Sequence, residues 1–102
     1  MNNPVIRKMV LGFISIHILH HASVEPFYGS WMIDELNRHG YDMSAGTLYP
    51  LLHKMEADGL LAREDRLADG KIRKYYSITD HGTDVLAKAR KQAYELFKEI
   101  RE

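Results

Sequence analysis

SAGTLYPLLHKMEADGLLAREDRLADGKIRKYY, residues 44–76, decides the fold of this chain. Ser44 can open a helix as its N-cap, because its hydroxyl can accept a free backbone N–H of the first turn. Leu48, Leu51, Leu52 and Met55 then recur at i, i+3, i+4 and i+7, which is one apolar stripe of a helix. Gly59 ends that helix. Leu60 to Arg66 is expected as a strand, residues 67–70 (LADG) as a turn, and Lys71 to Ile78 as a returning strand. Asp69-Gly70 is a strong hairpin signal. A capped helix followed by a basic hairpin is the order a winged helix-turn-helix requires. The helix can enter a major groove, and the wing can reach the neighbouring backbone.

Working outward, Tyr28 to His39 reads as a second helix, with Tyr28, Trp31, Met32 and Leu36 near helical spacing and Gly40 as its C-cap. Tyr41 to Met43 supply the turn. Upstream, Pro4 suits the first turn of a helix running to about His20. Its apolar residues cover more than one face, so it is expected to pack on its own domain and on a partner. Residues 22–27 (ASVEPF) are expected as a loop broken by Pro26. Downstream, Thr79 or Asp80 caps a final helix in which Leu86, Ala89, Ala93, Leu96 and Ile100 form a coiled-coil-like seam. With no later residues to cover it, that seam is expected to meet a second subunit. The expected class is therefore mostly α with a small β-hairpin (α+β). Residues 1–79 form the winged helix-turn-helix, with helices at about 4–20, 28–39 and 44–58 and a wing at about 60–78. Residues 80–102 form a dimerisation helix.

The chain has 102 residues, one domain's worth, with 45% hydrophobic and 27% charged residues. Its 14 basic and 14 acidic residues cancel, which argues against a lysine-coated polyanion binder but leaves a local field possible. Four bases (Arg66, Lys71, Arg73, Lys74) and one acid (Asp69) lie between Arg66 and Lys74. The absence of cysteine excludes disulfides, thiolate zinc sites and cysteine nucleophiles. The apolar N-terminal stretch is broken by Ser15, His17 and His20 and is too short and polar for a membrane span. A cytoplasmic protein without a cofactor is expected.

With the leucine stripe turned inward, Ser44, Thr47, Tyr49, His53 and Lys54 lie on or near the outer side of the recognition helix. There they can meet phosphates, base acceptors or a thymine methyl. Gly46 would let the backbone approach the duplex. Lys71, Arg73 and Lys74 of the wing would neutralise phosphates and release counterions. Tyr75 and Tyr76 point to opposite faces, one to the core and one toward DNA or a partner. His17, His20 and His21 share a helical spacing of three and four. Two such imidazoles, completed by a carboxylate such as Glu25, could hold a divalent metal. The alternative is a polar dimer contact and a helix C-terminus favoured by cations.

YGSWMIDELNRHG (28–40), SAGTLYPLLHKMEADGLL (44–61) and KIRKYYSITDHGTDVL (71–86) together resemble the PadR family of bacterial transcriptional regulators in its small, single-domain form. The match runs in order from about Met9 to Leu86. The resemblance implies a homodimer joined through the first and last helices, bound to a pseudo-palindromic operator on double-stranded DNA. It also implies repression relieved by an unknown small-molecule effector. It points to Ser44, Thr47, Tyr49, Lys54, Arg73, Lys74 and Tyr75 for DNA. The interface would use Val10, Phe13, Ile14 and His17 with Leu86, Ala89, Ala93, Leu96, Phe97 and Ile100. Small members that bind drugs use a tryptophan in the last helix. Here that stretch offers Tyr94 and Phe97, and the sole Trp, Trp31, sits in the second helix. Two rival readings stand beside a DNA-binding repressor: a metal-responsive repressor using His17, His20 and His21, and a protein-binding winged-helix adapter. An enzyme is not expected. There is no nucleophile elbow or phosphate loop, and Asp34 and Glu35, adjacent on a helix, cannot converge on one atom.

Overall fold

The computed structural model describes residues 3–102; Met1 and Asn2, the start of the expected first domain, lie outside the described residues. The element order is α1 (Pro4–Val24), β1 (Phe27–Tyr28), α2 (Gly29–Arg38), α3 (Ala45–Ala57), β2 (Leu61–Ala68), β3 (Lys71–Ile78) and α4 (Asp80–Ile100). The strands form one antiparallel sheet in the order β1-β3-β2. Among the described residues, no helix is long and apolar enough to cross a membrane.

Local chemistry accounts for most element ends. Asn3 caps α1 by accepting from the N–H groups of Val5 and Ile6, at 2.8 and 3.2 Å. The helix runs four residues past the expected His20. Pro26 forces only the residue before it out of the helical region, and Glu25 is accordingly extended at φ −163°, ψ 159°. Ala22 thereby joins the core. Thr79 Oγ1 accepts from Gly82 N–H at 2.9 Å and donates to Gly59 C=O at 2.6 Å, tying the start of α4 to the end of α3. Gly82 lies so close to Leu60 that an added Cβ would overlap the Leu60 carbonyl oxygen.

The wing departs from the expected four-residue turn. Both strands extend to a two-residue connection in which Asp69 and Gly70 have φ of 52° and 76°. Two successive positive φ values match the primed hairpin turn, whose twist suits the flanking strands. The short strand β1 joins Phe27, expected as the end of a loop, to Tyr28, expected as the first residue of the second helix. Two residues carry no period, and only pairing of Phe27 with Tyr76 and Tyr28 with Tyr75 reveals it.

The core comprises Ile14, Ile18, Leu19 and Ala22 from α1, Phe27, Met32 and Leu36, Met43, the α3 stripe Leu48, Leu52 and Met55, then Leu61, Tyr76 and Leu86. Each large side chain among them contributes about 1.5–3 kcal/mol by leaving water. Two residues expected at a subunit interface, Ile14 and Leu86, are instead buried inside this core at 5% and 4% exposure. The reason is the α1–α4 crossing, which uses them within one subunit. Beyond Arg90, α4 leaves the body, and every residue from Lys91 to Ile100 is exposed.

Candidate nucleic-acid interface

The helix α3 turns Leu48, Leu52 and Met55 inward and leaves Ser44, Gly46, Thr47, Pro50, His53 and Lys54 exposed. The inward stripe thus fixes which face is free. Ser44 occupies the N-cap position, but its hydroxyl makes no capping bond. It donates instead to Thr47 Oγ1 at 3.3 Å, so the first N–H groups of α3 keep no side-chain partner and remain open to an anion. Lys54 is paired with Asp58 at 3.1 Å. An exposed i,i+4 pair of this kind is weak and exchanges readily for a phosphate.

Tyr49 is only half-buried and points toward α2 rather than straight outward. Its hydroxyl fills the space above Gly29, where a Cβ would overlap it. It therefore lines a groove with Tyr28, Gly29 and Ser30 at the start of α2 and with Ile72, Arg73 and Lys74 of the wing. The N-cap of α2, Tyr28, makes no side-chain capping bond either. A helix start with free N–H groups, a phenol and two cations face one cleft, which is the donor set a phosphate needs. Tyr28, Gly29 and Ser30 did not stand out in the sequence, because Tyr28 reads as part of the apolar spacing of the second helix and only its pairing with Tyr75 of β3 brings this helix start to the wing.

One face of the wing is a stack. Arg66 lies 4.7 Å over the Tyr75 ring and Arg73 lies 4.4 Å over the Tyr28 ring. The two tyrosines meet edge-on at 5.5 Å. Arg66 and Arg73 are direct cross-strand partners, a repulsive arrangement that the aromatic faces and Glu64, 3.4 Å from Arg66, offset. Tyr75 is thus a half-buried platform under Arg66 that also braces the Tyr28 ring beneath Arg73, while Tyr76 is fully buried in the core. Lys71 and Lys74 are exposed and have no ion-pair partner among the described residues.

Three of the histidines gather between α1 and the end of α2. His17 and His21 of α1 converge with His39 at the end of α2, and each offers one ligand atom within 4.8 Å of the others. His20 is exposed and outside that group, and the carboxylate beside them is Glu35 rather than Glu25. Glu35 accepts from Arg38 at 2.7 and 3.0 Å and lies 3.0 Å from His39 Nε2. Its Oε2 is also 3.1 Å from His21 Nε2, off-line for a good hydrogen bond. The Arg38 hydrogen bonds hold the Glu35 carboxyl down at about 2 against some desolvation. Desolvation, followed by the neighbouring His39, lowers His17; desolvation lowers His21, with Glu35 opposing it.

Of the other residues expected at an interface, Val10, His17 and Ala89 are half-buried, and Phe13, Ala93, Leu96, Phe97 and Ile100 are exposed. Phe13, His17 and Ala93 line one groove between α1 and α4.

The sequence profile of the transcriptional regulator PadR-like family matches residues 18–88. The transcriptional regulator Rv3488 of Mycobacterium tuberculosis is 45% identical over 94 residues, covering 92% of this chain and 88% of that one. The solved PadR-like transcriptional regulator of Bacillus cereus superposes with a TM-score of 0.84 at 32% identity, covering 91% of this chain and 92% of that one. A PadR family regulator of Eggerthella lenta gives 0.76 at 35% identity, covering 94% and 88%.

Proposed function

The chain belongs to the PadR-like family of DNA-binding transcriptional regulators and is not an enzyme, and from that premise we propose that it acts as a homodimeric repressor. Two recognition helices enter successive major grooves of a pseudo-palindromic operator, roughly 34 Å apart. Each wing grips flanking phosphate through Lys71, Arg73 and Lys74, and Ser44, Thr47, His53 and Lys54 face the groove. Tyr49 and Tyr75 act mainly by positioning, the first at the start of α2 and the second beneath Arg66 and against the Tyr28 ring that carries Arg73. The observation that carries this reading is the cleft where the free start of α2, Tyr49, Arg73 and Lys74 meet.

Pairing through α1 and α4 is supported by their exposed apolar surface. Phe13 is 40% exposed, and Leu96, Phe97 and Ile100 are 55–65% exposed. Patches of this kind mark interaction sites. An effector seated near that interface would relieve repression by preferring one spacing of the two readers. Hydroxyl-radical footprinting on the upstream DNA tests the dimeric reading. Two protected patches related by a dyad are expected. A single unsymmetrical patch would overturn it. Operator affinity measured with and without an effector tests relief, and an unchanged affinity across phenolic and hydrophobic compounds would count against it.

A further inference from the structure

We propose that His17, His21 and His39 form a binding site for a divalent transition metal of the zinc class, with Glu35 orienting two of the rings. The three imidazoles come from two helices, so their convergence is a tertiary fact rather than a helical repeat. Their ligand atoms already lie within 4.8 Å of one another. Tetrahedral zinc with nitrogen bonds of about 2.0–2.1 Å needs those nitrogens about 3.3 Å apart. Small rotations of three side chains, two of them half-buried, close the difference.

The surroundings resemble a metal shell more than a packed polar cluster. His17 and His39 have ring centroids 4.6 Å apart. His21 Nε2 is buried without a well-formed hydrogen bond. Glu35 sits 3.1 Å from His21 and 3.0 Å from His39 on one side, with Arg38 anchoring it on the other. Glu35 meets Nε2 of both rings, which leaves their Nδ1 atoms to the ion, and a carboxylate on the non-ligating nitrogen of a histidine fixes ring tautomer and orientation. Imidazole donors without thiolates suit zinc, nickel or copper. The fourth position is left to water or a small anion.

The site joins α1 to the last residue before the turn that leads into α3, and the His17 ring contacts Tyr41 of that turn at 5.4 Å. A bound ion would therefore fix α1 against the helix-turn-helix and change operator affinity. That second step rests on the DNA-binding reading; the binding step does not.

The test uses the full chain stripped of metal and titrated with Co2+, read by visible d–d absorption, then displaced with Zn2+. One tetrahedral Co2+ per chain is expected. His39→Gln should lower its affinity at least tenfold, Glu35→Gln by about 10–100-fold, and His20→Ala should leave it unchanged. Circular dichroism checks that each variant is folded. In the unaltered chain, Zn2+ should shift the imidazole NMR signals of His17, His21 and His39 and spare those of His20, His53 and His81. No saturable Co2+ absorption, or shifts confined to the other histidines, would overturn the site. Metal binding that leaves operator affinity unchanged would overturn the coupling alone, and DNA binding in the stripped protein reports separately on the DNA reading.

Discussion

Phe97→Ala should separate the proposed dimer without damaging the subunit. Phe97 is 60% exposed on the part of α4 that has left the body, so the fold of one chain gains little from it. Alanine also favours the helix more than phenylalanine does. A phenylalanine presents roughly 200 Å², so the free portion is about 120 Å² and its burial is worth about 3 kcal/mol at about 25 cal/mol per Å². After allowing for the alanine methyl, about 2 kcal/mol is lost per subunit, and a two-fold interface counts it twice. About 4 kcal/mol corresponds to a rise of nearly three orders of magnitude in the dimer dissociation constant. Sedimentation equilibrium measures that constant, and thermal melting of the monomeric variant checks the fold. A dissociation constant within a few-fold of the unaltered chain would refute the placement of α4 at the interface. A collapse of monomer stability would refute the claim that Phe97 is free.

Other perturbations follow from other parts of the molecule. Gly82→Ala drives a methyl into the Leu60 carbonyl. Overpacking of this sort costs about 1–3 kcal/mol, and a domain of this size loses about 4–8 °C per kcal/mol, so calorimetry should record a Tm roughly 10 °C lower. An unchanged Tm would contradict the close approach. Lys74→Ala should weaken binding to every DNA sequence and flatten the plot of log affinity against log salt by about 1.8, or about 0.9 for each subunit. A change confined to one sequence would reassign Lys74 to base reading. Acid should destabilise the fold in two windows. His17 and His21 have folded values below 6.5, so the unfolded chain takes up protons first and stability falls as pH drops below about 6.5. Glu35, held at about 2 against an ordinary 4.5, adds stability that is present above 4.5 and lost as pH falls toward 2. Urea titrations between pH 8 and 3 in metal-free buffer check the sign, and stability rising on acidification would contradict it.

The helices and the hairpin were legible because each rests on local chemistry. The α3 stripe has a clean 3.6-residue period, Gly40 and Gly59 sit at positive φ as helix ends, and Asp69-Gly70 makes the turn its dipeptide favours. What escaped was set by contacts between distant residues. Strand β1 exists only because β3 lies beside it. Ile14 and Leu86 carry the same apolar signal as Phe13 and Phe97, and only the α1–α4 crossing decides which of them a single chain buries. Ser44 matches a capping pattern, yet its hydroxyl turns to Thr47. Tyr49 has an outward position on a helical wheel but reaches the glycine of another helix. His39, 18 residues after His21 in sequence, joins the histidines through tertiary packing that no spacing rule anticipates.

The central claim is that the α3 and wing surfaces bind a defined DNA sequence. The most direct test is a mobility-shift titration of the full chain on DNA from upstream of its own gene, alongside unrelated DNA, repeated across salt concentrations with and without Zn2+. Tighter binding to the upstream fragment, with affinity falling steeply as salt rises, is the predicted result. Equal weak binding to both DNAs, or none to either, with metal present and absent alike, would contradict it.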